Sequence, residues 1–94
     1  LRTMGVRLEA ETRTALSVAE WLEAQPQVAR VLCPMLPSDP GYALWARDFT
    51  GGCGLFAFVL ASEDPGASAR VADALALFGI GYSWGGFESL ALPI

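Results

Sequence analysis

Gly51-Gly52-Cys53-Gly54-Leu55-Phe56-Ala57-Phe58-Val59-Leu60 is the stretch that decides how this chain folds. Its glycine-rich start lets the backbone turn tightly, because glycine has no Cβ to obstruct it. The residues that follow alternate with apolar side chains on both sides: Leu55, Ala57 and Val59 against Phe56, Phe58 and Leu60. Successive strand side chains point to opposite faces, so a strand apolar on both is expected to be central and covered. The run Gly51 to Gly54 also invites a reading as a phosphate cradle. It lacks the Gly-Lys-Ser/Thr ending of a P-loop and precedes a strand rather than opening a helix, so a turn is the expected structure.

Working outward, Met4, Leu8, Ala15, Ala19 and Leu22 recur at three- and four-residue steps, which predicts a long amphipathic helix from Thr3 to Ala24. Gln25-Pro26 ends it, since proline disfavours helical geometry in the residue before it. Val28 to Leu32 reads as a short strand closed by Pro34, and Leu36-Pro37-Ser38-Asp39-Pro40-Gly41 as a loop, with a brief helix over Tyr42 to Asp48. Beyond the central stretch, Ser62-Glu63-Asp64-Pro65-Gly66 is a connection. Asp64 or Ser62 is the candidate cap of a second main helix that runs to Phe78 on Val71, Leu75 and Phe78. Ile80 to Ser83 is the last strand expected. The order implies an α+β fold: one small, mostly antiparallel sheet of about three strands with helices packed on one side.

Composition narrows the chemistry. The 94 residues are enough for a single domain over residues 1–94, and a hydrophobic content of 53% is ample for its core. A net charge of -4 without a basic cluster argues against nucleic acid as a partner and against an anionic membrane surface, and no apolar run is long enough to span a bilayer. The basic residues are all arginine, namely Arg2, Arg7, Arg13, Arg30, Arg47 and Arg70, and there is no histidine. The chain therefore has no side-chain amine for a Schiff base, no imidazole metal ligand and no ordinary Ser-His triad. Cys33 and Cys53 lack CxxC spacing and read as free thiols of a reducing cytoplasm. The adjacent carboxylates Glu63 and Asp64 read as a solvated corner. At least one of Trp21 and Trp45 is expected at an interface.

Chemistry-capable side chains meet permissive backbone in Gly79-Ile80-Gly81-Tyr82-Ser83-Trp84-Gly85-Gly86-Phe87-Glu88-Ser89-Leu90. By residue type alone, Tyr82 and Trp84 are core or interface aromatics of a strand. The segment Tyr82 to Leu90, together with Val18-Ala19-Glu20-Trp21-Leu22, Pro26 to Val31, Pro34-Met35-Leu36-Pro37 and Asp48-Phe49-Thr50-Gly51, resembles the C-terminal domain of the Cys/Met metabolism pyridoxal-phosphate enzymes of fold type I. Ser83-Trp84-Gly85-Gly86 points to the cystathionine beta-lyase branch, since relatives acting at the gamma carbon typically place leucine where Trp84 stands.

That resemblance implies a substrate-binding role for Tyr82, Ser83 and Trp84. Ser83 would sit near the cofactor lysine and the substrate carboxylate, Trp84 would wall the substrate side chain, and Tyr82 would support both. It implies pyridoxal phosphate in the full-length parent, held by a large domain upstream, with a carboxylate-binding arginine downstream. No cofactor is expected on this chain and no catalytic residue within it. The implied reaction is β-elimination of an amino-acid thioether, cystathionine yielding homocysteine, pyruvate and ammonia in a cytoplasmic, usually tetrameric enzyme. The start without methionine and the end at Leu92-Pro93-Ile94 are read as those of an excised piece, expected to self-associate through its apolar surplus. Glu88 is a candidate partner for an arginine of the large domain. A free-standing α+β ligand-binding or oligomerisation module is the alternative that the residues leave open.

Overall fold

The computed structural model describes residues 3–82 and 88–94. Helix α1 spans Met4–Glu23 and buries Ala15 and Ala19, the small residues of its apolar face, which lets it lie close against strand β1 (Val28–Leu32). Gln25 and Pro26 separate the two elements, as the helix-stop reading requires. Strand β1 pairs antiparallel with β2 (Ala57–Leu60), Leu32 opposite Ala57 and Val28 opposite Leu60. A bulge lies between Val28 and Arg30, where two steps on β1 meet one on β2. Ala19, Val31, Cys33, Met35 and Leu36 are buried together, with Leu16, Leu22, Val28, Trp45 and Phe56 packed around them. The core therefore lies between α1, β1 and the segment just after β1.

That segment is built by its prolines. The N–H of Leu36 donates to Cys33 O, that of Asp39 to Leu36 O and that of Tyr42 to Asp39 O, each at 3.0 Å. Three turns follow one another, and Pro34, Pro37 and Pro40 each take the second position, where a fixed φ is pre-set and an N–H is not needed. The last turn delivers the chain into α2 (Tyr42–Asp48). Asp64-Pro65-Gly66 repeats the device, with Ala67 N–H donating to Asp64 O at 3.1 Å, and launches α3 (Ala67–Ala74).

Several expectations are corrected. β2 starts at Ala57 rather than Leu55, because β1 ends at Leu32 and Pro34 has no N–H to extend the ladder. α3 stops at Ala74, well before Phe78: Leu75 is already extended (φ -69°, ψ 129°) and its N–H closes a tight bond to Ala72 O. The last expected strand is β3, Gly79–Ile80, and it does not join β2. It pairs in parallel with β4 (Leu90–Ala91), a strand that the sequence reading did not include. The described residues thus hold two two-stranded sheets, one antiparallel and one parallel, within an α+β fold.

Nor is β2 covered on both faces, since Phe58 is 38% and Val59 42% exposed. The shortest dimension, 18 Å, explains this, because it leaves room for one helix layer on one sheet layer and no more. No helix among the described residues is long and apolar enough to cross a membrane.

Candidate functional site

The segment singled out in the sequence is flanked by the parallel pair β3–β4. Gly79 N–H donates to Ser89 O at 2.9 Å and Gly81 N–H to Ala91 O at 3.3 Å. Gly79 lies opposite Leu90 and Ile80 opposite Ala91. Tyr82 follows directly and is 81% exposed, so the expected substrate-side hydroxyl stands in solvent rather than in the core. Ser83 and Trp84 lie outside the described residues. Glu88 is exposed, two residues before β4.

The Gly51–Gly54 run is a packing device. A Cβ on Gly52 would fall well inside contact of Met35 Sδ and 3.3 Å from Thr12 Cγ2, while one on Gly54 would sit 3.2 Å from Glu11 Cβ. Trp45 Nε1–H donates to Gly51 O at 3.2 Å, fixing the run from its other side. The glycines are there so that this loop can lie against α1 and the proline turns. With the Glu11 side chain beside Gly54, the run presents no anion cradle.

The titrating groups whose affinity is clearly shifted lie away from Tyr82 in sequence and act structurally. Burial pushes the Cys33 thiol up from its ordinary 9.0, with the Asp39 charge adding to the effect. The Gly66 N–H and then Arg70 hold the Asp64 carboxyl below the usual carboxylate range. Asp64 is therefore a turn-and-helix anchor, with Gly66 N–H at 2.9 Å and Arg70 Nη2 at 2.9 Å, and not half of an acid/base pair with Glu63. Arg47 lowers Asp48 in the same way at the surface.

Two clefts flank the β1–β2 pair. One, of about 510 Å³, runs between Glu23, β1 and Ser38–Pro40. Its two carboxylates are engaged: Ser38 Oγ donates to Glu23 Oε2 at 2.6 Å, and Asp39 accepts the N–H groups of Cys33 and Gly41. The other, of about 420 Å³, lies between Leu60, Ser62 and α3, and Arg70 on its wall is already paired with Asp64. The first cleft also carries Arg30 of β1, which makes no ion pair among the described residues. Among the described residues no group of side chains is able to hold a metal ion.

Comparison with known proteins gives these features a setting. The sequence profile of the Cys/Met metabolism PLP-dependent enzymes matches residues 1–93. The chain belongs to that family of pyridoxal-phosphate enzymes. It is 58% identical over 98% of its length to a putative cystathionine beta-lyase of Rhizobium johnstonii, and 52% identical over 98% to the cystathionine beta-lyase of Escherichia coli. In each case the match covers 24% of the relative, so the chain spans about a quarter of the length of these proteins. Among solved structures it superposes on a cystathionine gamma synthase of Xanthomonas oryzae pv. oryzae crystallised with cystathionine, with a TM-score of 0.85 and 36% identity, over 96% of this chain and 23% of that one.

The family's cofactor does not fit the residues present in this chain. There is no lysine to carry it, and the one glycine run suited by composition to a phosphate is filled by Met35, Thr12 and Glu11.

Proposed function

We propose that this chain is the C-terminal domain of a cytoplasmic, tetrameric carbon–sulfur beta-lyase, acting on cystathionine or a related amino-acid thioether, and that it supplies one wall of the substrate pocket. The observation that carries the reading is the 52% identity, across 98% of the chain, to the Escherichia coli enzyme. Tyr82, Ser83 and Trp84 form the wall: a hydroxyl orients without adding charge, and aromatic rings exclude water and fix the shape of an apolar thioether arm. The segment is mounted on its own ladder, apart from the buried core, as a pocket wall shared with another part of a larger protein requires.

Without lysine or histidine the chain supplies no base and no anchor for pyridoxal phosphate, whose electron-sink chemistry belongs to the remainder of the parent. The chain alone is inactive. The test is the full-length protein with cystathionine, following pyruvate and free thiol together. Both should appear in equal amounts in the parent, and Trp84→Leu should lower kcat/KM for cystathionine by at least about tenfold. Release of a thiol without pyruvate would defeat the beta-lyase reading. Treating the chain itself, its α-amine blocked, with pyridoxal phosphate and borohydride should leave every internal side chain unmodified.

A further inference from the structure

The pair Gly79 and Leu90 is the mount on which the Tyr82 segment is held. Parallel neighbours are normally joined by a crossover of a dozen or more residues, usually with a helix. Here the chain leaves β3 after Ile80 and starts β4 at Leu90, a connection of nine residues, Gly81 to Ser89. Its two ends are tied together at its base by the Gly79–Ser89 and Gly81–Ala91 bonds. The side chain of Leu90 lies over both glycines: its Cδ2 is 3.5 Å from where a Cβ would stand on Gly79, and 3.9 Å from where one would stand on Gly81. Tyr82 comes one residue after Gly81, whose N–H is bonded to Ala91 O, so the ladder fixes the backbone that leads into it.

We infer that Leu90, seated on the bare backbone of Gly79 and Gly81, is a positioning residue that sets the Tyr82 side of the substrate wall. This rests on the proposed pocket-wall role. The distances give the inference a graded signature. A Cβ at 3.5 Å is ordinary contact, so Gly79→Ala leaves Leu90 in place, whereas the branched side chain of Gly79→Val pushes it off. Leu90→Ala removes the seat, and Leu90→Met, of similar volume and flexible, restores it.

The experiment uses the full-length parent. Leu90→Ala and Gly79→Val should each raise KM for cystathionine by about 5- to 20-fold with kcat within about threefold, because loosened placement of a binding wall costs substrate binding first. Gly79→Ala and Leu90→Met should stay within about twofold of wild type. A second readout needs no activity: chymotrypsin should cut after Tyr82 faster in Leu90→Ala and Gly79→Val than in wild type, with Leu90→Met returning to the wild-type rate. Unchanged KM and unchanged cleavage in both variants would overturn the inference. So would a loss of kcat, KM and thermal stability together that Leu90→Met does not rescue, since that marks a merely structural residue. A parent that does not cleave cystathionine defeats the proposed function, and the cleavage pattern at Tyr82 still decides the role of Leu90.

Discussion

Asp39 and Asp64 hold the same post in two Asp-Pro-Gly turns, each accepting the N–H of the glycine two residues on, at 2.7 and 2.9 Å. They differ in what the second carboxylate oxygen does. Asp39 Oδ2 takes the N–H of Cys33 at 3.1 Å and so ties the end of β1 to the start of α2, whereas Asp64 Oδ2 meets the exposed guanidinium of Arg70. Asp39→Ala strands a backbone donor beside a fully buried thiol and should cost about 2–3 kcal/mol in urea unfolding. Asp64→Ala should cost clearly less, because both of its partners reach water. Equal losses would mean that the Cys33 bond contributes nothing.

Asp64 and the Cys33 thiol beside Asp39 act at opposite ends of the pH range. Asp64 is depressed below its ordinary 3.8 in the fold, so its contribution is present above that value and lost as pH falls through the lowered one. Cys33 is the opposite case. Its thiol is raised from 9.0, so the fold favours the neutral form, and that contribution is complete below 9.0 and lost as pH rises through the folded value. Cys33→Ala should flatten the alkaline limb of a stability profile and Asp64→Asn the acid limb. Thiol titration of the native chain should show Cys53, which is exposed, reacting at once, and Cys33 reacting only on the timescale of opening.

Gly52 lies under Met35, whose buried thioether an added side chain would have to displace. Gly52→Ala should therefore destabilise the chain by about 1–3 kcal/mol, the usual cost of overfilling a packed site. Met35→Ala alone should also destabilise, by opening a cavity in the core. In the double variant the added methyl occupies part of that space, so the two losses should sum to more than the measured total. Strict additivity in urea midpoints would remove the steric reading of the glycine run.

The local elements were legible wherever one short-range signal acted. The spacing of Ala15, Ala19 and Leu22 gives α1, and β1 and α2 fall where Val28–Leu32 and Tyr42–Asp48 place them. Proline at 34, 37 and 40 carried more than a loop signal, since its three-residue period matches three linked turns. Strand partnership was not legible. The apolar pattern of Phe56, Phe58 and Leu60 states that both faces of β2 want cover, and it is silent on where the cover comes from. The pairing of Gly79–Ile80 with Leu90–Ala91 depends on a non-local choice between two very short strands. Of the candidate site, Tyr82 was named only through the family resemblance and stands exposed beside that ladder, while nothing in the apolar pattern paired Leu90 with Gly79.

Unpartnered apolar surface carries a last prediction. Leu32 and Val59 are open on one face of the β1–β2 pair, Phe58 is 38% exposed on the other, and Trp21 is 62% exposed on α1. Single exposed apolar residues are ordinary, but neighbours on one sheet face, as Leu32 and Val59 are, mark surface meant to be covered. In the isolated chain the available cover is a second copy, and an isologous dimer lets one patch bury itself. Sedimentation should give a dimer that dissociates on dilution. Val59→Glu should shift it towards monomer, by placing a charge where burial is required. A clean monomer at millimolar concentration would refute this, and it would mean that the Leu32 and Val59 face tolerates water as it is.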